Sequence, residues 1–114
     1  MREQTDSFLG VNNFQLYKKS WLPDGAPKAI MAIVHGAGEH IHRYQNLADT
    51  LVPAGFILTG YDQRGHGRSD GQRGHINSWD EYREDLGRFL VLARELAPGL
   101  PLLTKIENFD RVFC

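Results

Sequence analysis

The chain has 114 residues, enough for one small domain, and its 41% hydrophobic and 24% charged content is ordinary for a globular core. With 13 basic against 14 acidic residues and no basic run, it lacks the electrostatic footprint of a nucleic-acid binder. The single cysteine, Cys114, excludes an intrachain disulfide and a cysteine-based zinc cluster. No apolar run reaches the roughly 18 residues of a membrane span, and the N-terminus shows no signal-peptide pattern, so the expected location is cytoplasmic.

From Phe8 to Leu22, two short β-prone runs, "SFLGV" and "FQLYKKSWL", flank Asn12-Asn13. Asparagine tolerates the positive φ of tight turns, which predicts an antiparallel hairpin with a two-residue turn. After the turn cluster "PDGAP", the nearly continuous apolar run in "KAIMAIVHG" predicts a strand buried on both faces of a parallel sheet. Residues 43–54 place Tyr44, Leu47, Ala48, Leu51 and Val52 at helical spacing, with Gly55 as the stop, and "FILTGY" is the next buried strand. Strand, helix and strand then form a βαβ unit.

A polar, glycine-rich loop spans residues 62–77. A second helix opens at Ser78 with Glu81 three residues on, as in a capping box, and carries Tyr82, Leu86, Phe89, Leu90, Ala93 and Leu96 on one face until Pro98-Gly99. "LPLL" at 100–103 begins like a third parallel strand. "TKIENFDRVFC" is too charged for burial on both faces, so the strand pattern is expected to stop at Leu103 and residues 104–114 to form a divergent tail.

Two stretches carry chemistry. Gly67-Arg68-Ser69-Asp70-Gly71 matches the G-x-S-x-G pattern of serine nucleophiles, but that chemistry needs a sharp strand-to-helix turn. Here loop residues precede Ser69 and the next helix waits until about Ser78, so Ser69 is read as a loop serine. The same loop holds Asp62, Arg64 and His66, and loops of this length tend to be functional. The other stretch, "VHGAGEHIHRY" at 34–44, follows a buried strand and puts glycine-freed N–H groups at the carboxyl end of the sheet, where open α/β folds bind ligands and where an oxyanion could be held. A dinucleotide fingerprint would require glycine where Ile41 stands. A metal site drawn from His35, Glu39, His40 and His42 lacks the spacing of a helical H-E-x-x-H motif, and packed histidines are the simpler reading, so no metal is expected.

"HGAGEH" at 35–40, "YDQRGHGRSDGQRG" at 61–74 and "YREDL" at 82–86, in this order, resemble the α/β-hydrolase superfamily, within it the monoacylglycerol lipase and lysophospholipase (serine aminopeptidase-like) branch. The resemblance covers residues 7–103. Epoxide hydrolases and haloalkane dehalogenases share the D-x-R-G-x-G-x-S element but usually have a proline two residues after the first His-Gly, where this chain has Gly38.

The resemblance implies an N-terminal portion of an α/β-hydrolase domain, residues 1–103, with an antiparallel hairpin leading into a parallel sheet flanked by helices. It also implies hydrolysis of lipid or other carboxylic esters through a serine acyl-enzyme, without a cofactor. By the same resemblance Ala37 N–H lies in the oxyanion hole. His35, Gly36, Gly38, Glu39, His40, Asp62, Arg64 and His66 shape the site, and Glu39 is spaced to pair with Arg43. The family's G-H-S-x-G elbow does not follow Leu103; no serine lies beyond Ser78 and no histidine beyond His75. None of the triad is therefore identified, and these 114 residues are expected to be inactive alone. The alternative is a catalytically dead hydrolase-like segment that binds a partner through its sheet.

Overall fold

The computed structural model describes residues 1–34, 44–64, 68–70 and 79–106. Within them the chain forms strands β1 (Arg2–Leu9), β2 (Gln15–Leu22) and β3 (Ala29–Val34), helix α1 (Gln45–Leu51), strand β4 (Phe56–Tyr61), helix α2 (Trp79–Glu95) and strand β5 (Leu102–Ile106). The five strands make one sheet in the order β1-β2-β4-β3-β5. β1 and β2 are antiparallel, β2 and β4 are antiparallel, and β3 is parallel to both β4 and β5. This is the expected hairpin leading into a parallel sheet.

Alternation along the strands explains the two-sided core. Ala32 and Ile33 are neighbours on β3 and point to opposite faces. Ile33 packs with Trp21 and Leu58 against Ala48 and Val52 from the α1 segment. Ala32 packs with Leu16 and Tyr61 against Phe89 and Ala93 of α2. Among the described residues one helix therefore covers each face of the sheet, and β3 and β4 are buried on both sides as their apolar runs require.

Helix α1 is shorter than its periodic pattern. It ends at Leu51, and the Ala54 and Gly55 N–H groups bond back to the Leu51 and Val52 carbonyls. Gly55 adopts φ +104, which a side chain rarely tolerates, and its carbonyl accepts the Lys28 N–H at 2.9 Å beside the start of β3. The expected stop thus also sets the register of β3 against β4.

The hairpin differs from expectation in detail. Asn12 and Asn13 both take φ +61, as proposed, but residues 10–14 form a five-residue connection closed by Gly10 N–H to Phe14 carbonyl at 2.8 Å, and no two-residue turn exists. β1 also begins at Arg2, well before the β-prone run. Its residues are exposed apart from the half-buried Phe8, so Arg2, Glu3 and Asp6 cost nothing in burial and guard what is, among the described residues, an open sheet edge.

A second correction concerns the end of the sheet. The strand does not stop at Leu103: Thr104, Lys105 and Ile106 pair with Ala32, Ile33 and Val34. Among the described residues β5 has one neighbour only, so Thr104 and Lys105 stay in water and polar side chains do not oppose the ladder. The pattern was a correct sign of exposure and a wrong sign of termination.

Gly10 shows how closely α2 approaches the hairpin. A Cβ at Gly10 would collide with the Asp85 carboxylate and lie 2.7 Å from Leu16 Cδ1. Gly10→Ala is expected to lower unfolding free energy by about 1–3 kcal/mol, the usual cost of overpacking, measured by urea denaturation.

Candidate functional site

β3 and β4 end level with one another, Val34 beside Tyr61. The two chemistry-bearing stretches therefore leave the sheet from adjacent points at the carboxyl ends of parallel strands, the usual location of sites in open α/β sheets. His35, Gly36, Ala37, Gly38, Glu39, His40 and His66 lie outside the described residues, as do Ile41, His42, Arg43 and Ser78. Asp62, Arg64 and Ser69 are described, and all three are buried.

Asp62 N–H donates to the Tyr17 carbonyl at 2.8 Å, and its carboxylate accepts the Arg68 N–H at 3.0 Å. Ser69 Oγ accepts the Tyr17 N–H at 2.8 Å and donates its own proton to the Asp62 carbonyl. Asp70 N–H donates to the Gln15 carbonyl, and Gln15 N–H returns a bond to Asp70 Oδ2, each at 2.9 Å. The β2–β4 pairing covers Lys18–Trp21, so Gln15 and Tyr17 lie beyond its end. The loop curls back and supplies the hydrogen bonds that β4 no longer provides, as buried backbone groups require.

This geometry assigns Ser69 a structural task. A nucleophilic serine needs its proton taken by a base, whereas the Ser69 proton is directed at a backbone carbonyl. Ser69 is buried, and its hydroxyl is engaged by two backbone groups.

Arg64 is the second anchor of the loop. Its Nε donates to Asp85 Oδ2 at 2.7 Å, and its Nη2 donates to Asp85 Oδ1 at 3.2 Å and to the Val11 carbonyl at 2.9 Å. The guanidinium stacks 4.4 Å over the Phe14 ring, and Glu81 lies 3.5 Å from Nη1. Asp85 Oδ1 also accepts the Val11 N–H at 2.9 Å, and Asn12 donates to Glu81 at 3.0 Å. Burial disfavours the Arg64 charge, but the Asp85 hydrogen bonds and the Asp85 and Glu81 charges outweigh it and hold the guanidinium above its ordinary range. Asp85 is not among the expected site residues. Its signal was legible, because a carboxylate at 85 shares the core-facing stripe of Tyr82, Phe89 and Ala93, and a charge there demands a buried partner.

Among the described residues no group of three His, Cys, Asp or Glu side chains could hold a metal, and no helix is long and apolar enough to cross a membrane.

Two outcomes follow from these contacts. Ser69→Ala strands the Tyr17 N–H in a buried position, and a loss of about 1–3 kcal/mol in urea-measured stability is expected. Tyr82, packed beside Arg64 and Asp85, is pushed up to about 12, first by burial, with Asp85 adding to the rise and Arg64 opposing it. A folded value above the unfolded one means that this contribution is complete below the ordinary tyrosine value of about 10 and is lost as pH climbs through about 12. Urea midpoints measured across that window should fall with pH, and less steeply in Tyr82→Phe.

Comparison with known proteins places this architecture. The profile of the family described as "Serine aminopeptidase, S33" matches residues 25–104. The chain is 36% identical over 98 residues to the monoglyceride lipase homolog of Monkeypox virus, covering 86% of this chain and 36% of that protein. It is 36% identical over 95 residues to the monoacylglycerol lipase of Mycolicibacterium smegmatis, covering 83% and 34%. Among solved structures, a thermostable carboxyl esterase from Bacillus coagulans superposes with a TM-score of 0.79 at 28% identity, over 91% of this chain and 36% of that one. The chain thus spans about a third of the length of these relatives. With a family match over most of its length and a sheet that superposes on a solved esterase, the chain belongs to the serine aminopeptidase S33 family of α/β-hydrolases.

Proposed function

We propose that residues 1–103 are the N-terminal portion of a hydrolase of carboxylic esters, with monoacylglycerols or related single-chain lipids as substrate, working through a serine acyl-enzyme. The supporting observation is the family match together with the commitment of the Ser69 hydroxyl to Asp62 and Tyr17, which removes the one serine with a nucleophile-like sequence. In this reading Ala37 N–H supplies part of the oxyanion hole, which acts by preorganised donation to charge that develops in the transition state. The loop from Asp62 to Gly74 buttresses that region without attacking the ester. Nucleophile, acid and base come from sequence outside these 114 residues, which alone do not turn over. The reaction needs no cofactor, and a cytoplasmic location suits it.

A second reading, a hydrolase-like segment that binds a partner through its sheet, is favoured by one observation: Leu103 is 49% exposed on β5, the edge strand of the sheet among the described residues.

Reading the encoding DNA past codon 103 in all three frames separates the two. The hydrolase reading expects G-H-S-x-G there, and a product translated through it that hydrolyses a monoacylglycerol and labels with a fluorophosphonate outside residues 1–114. In that product Ala37→Pro, which deletes the donor N–H, should cost roughly 10²–10³ in kcat with its melting transition kept. Absence of such a motif, or unchanged kcat in folded Ala37→Pro, overturns the assignment.

A further inference from the structure

Arg64 and Asp85 are a buried ion pair, and buried pairs are an uneconomical source of stability. Withdrawing both charges from water is costly, and replacement by apolar residues of similar volume is often neutral or favourable. What such a pair supplies that apolar contacts lack is direction. The Arg64 fork and the Asp85 carboxylate meet through two hydrogen bonds, and the same two side chains bond the N–H and the carbonyl of one residue, Val11. Three separate segments are thereby indexed to one another: the loop after β4 through Arg64, helix α2 through Asp85, and the hairpin connection through Val11. The hairpin connection leads directly into Gln15 and Tyr17, which carry the Asp70 and Ser69 bonds. The loop after β4 is therefore held at two points, and both depend on where residues 10–14 sit.

We propose that Arg64 and Asp85 are positioning residues, whose task is to set the chain that leaves the carboxyl end of β4 in one register against α2. The relevance to catalysis rests on the ester-hydrolase reading, but the positioning itself does not, and it is tested without any turnover measurement. Bidentate geometry is what does this, so charge alone should not suffice: a lysine ammonium is a point charge and cannot span both Asp85 oxygens and the Val11 carbonyl.

The experiment is amide hydrogen exchange on the 114-residue chain, comparing the parent with the paired replacement of Arg64→Met and Asp85→Leu. The proposal expects protection at Val11, Arg68 and Asp70 to fall by about tenfold or more while the β3 and β4 amides stay within about twofold, because local opening is separable from global unfolding. Arg64→Lys should show the same selective loss. Loop amides unchanged in the paired replacement, or loop and sheet amides falling together, would show that the pair serves general stability and overturn the proposal. If the paired replacement does not fold, Asp85→Asn, which keeps the shape and an acceptor for Val11, decides by the same comparison. Full protection in Arg64→Lys would equally overturn it, since charge would then be sufficient.

Discussion

The described structure turns on one buried cation. Arg64 lies on the loop that follows a central strand, in a place where its charge can persist only if a carboxylate is brought to meet it. That carboxylate, Asp85, stands on the core-facing stripe of α2, so satisfying Arg64 fixes the helix as well as the loop. Val11 is drawn into the same arrangement through both of its backbone groups. The close approach this demands explains why a glycine precedes it, since any side chain at Gly10 would run into the Asp85 carboxylate.

With the hairpin connection and α2 fixed, the rest of the carboxyl edge follows. β2 extends past the end of β4, and its backbone groups at Gln15 and Tyr17 bond to Asp70, Ser69 and Asp62. A stretch that reads as a nucleophile motif is in this way a backbone-satisfying turn. The same residue type serves both ends, since a small hydroxyl reaches two backbone groups at once. What separates the two is the direction of the hydroxyl proton, which here points to a carbonyl.

Much of this was legible in the sequence where burial and periodicity agree. β3 and β4 read as strands because both faces are covered, and α2 reads as a helix because Tyr82, Phe89 and Ala93 fall on one face. Legibility failed where burial is absent. β1 carries Arg2, Glu3 and Asp6 on an open edge, and β5 carries Thr104 and Lys105 in water, so neither strand shows the alternation by which strands are recognised. Of the expected site residues, Asp62 and Arg64 take buried places just past the end of β4, whereas Ala37 and its neighbours lie outside the described residues. Asp85 is hidden for a different reason: apolar periodicity does not mark it, because it is a buried carboxylate that interrupts the apolar stripe of Tyr82, Phe89 and Ala93.

The claim that Ser69 is a structural serine is tested most directly by observing its hydroxyl proton by NMR. A hydroxyl buried between Asp62 and Tyr17, with its proton held on a carbonyl, should give a resolved signal that exchanges slowly with water and correlates with the Asp62 backbone. A hydroxyl that exchanges at the rate of a free serine, or that is consumed by a fluorophosphonate, would contradict this account of the loop and return Ser69 to consideration as the nucleophile.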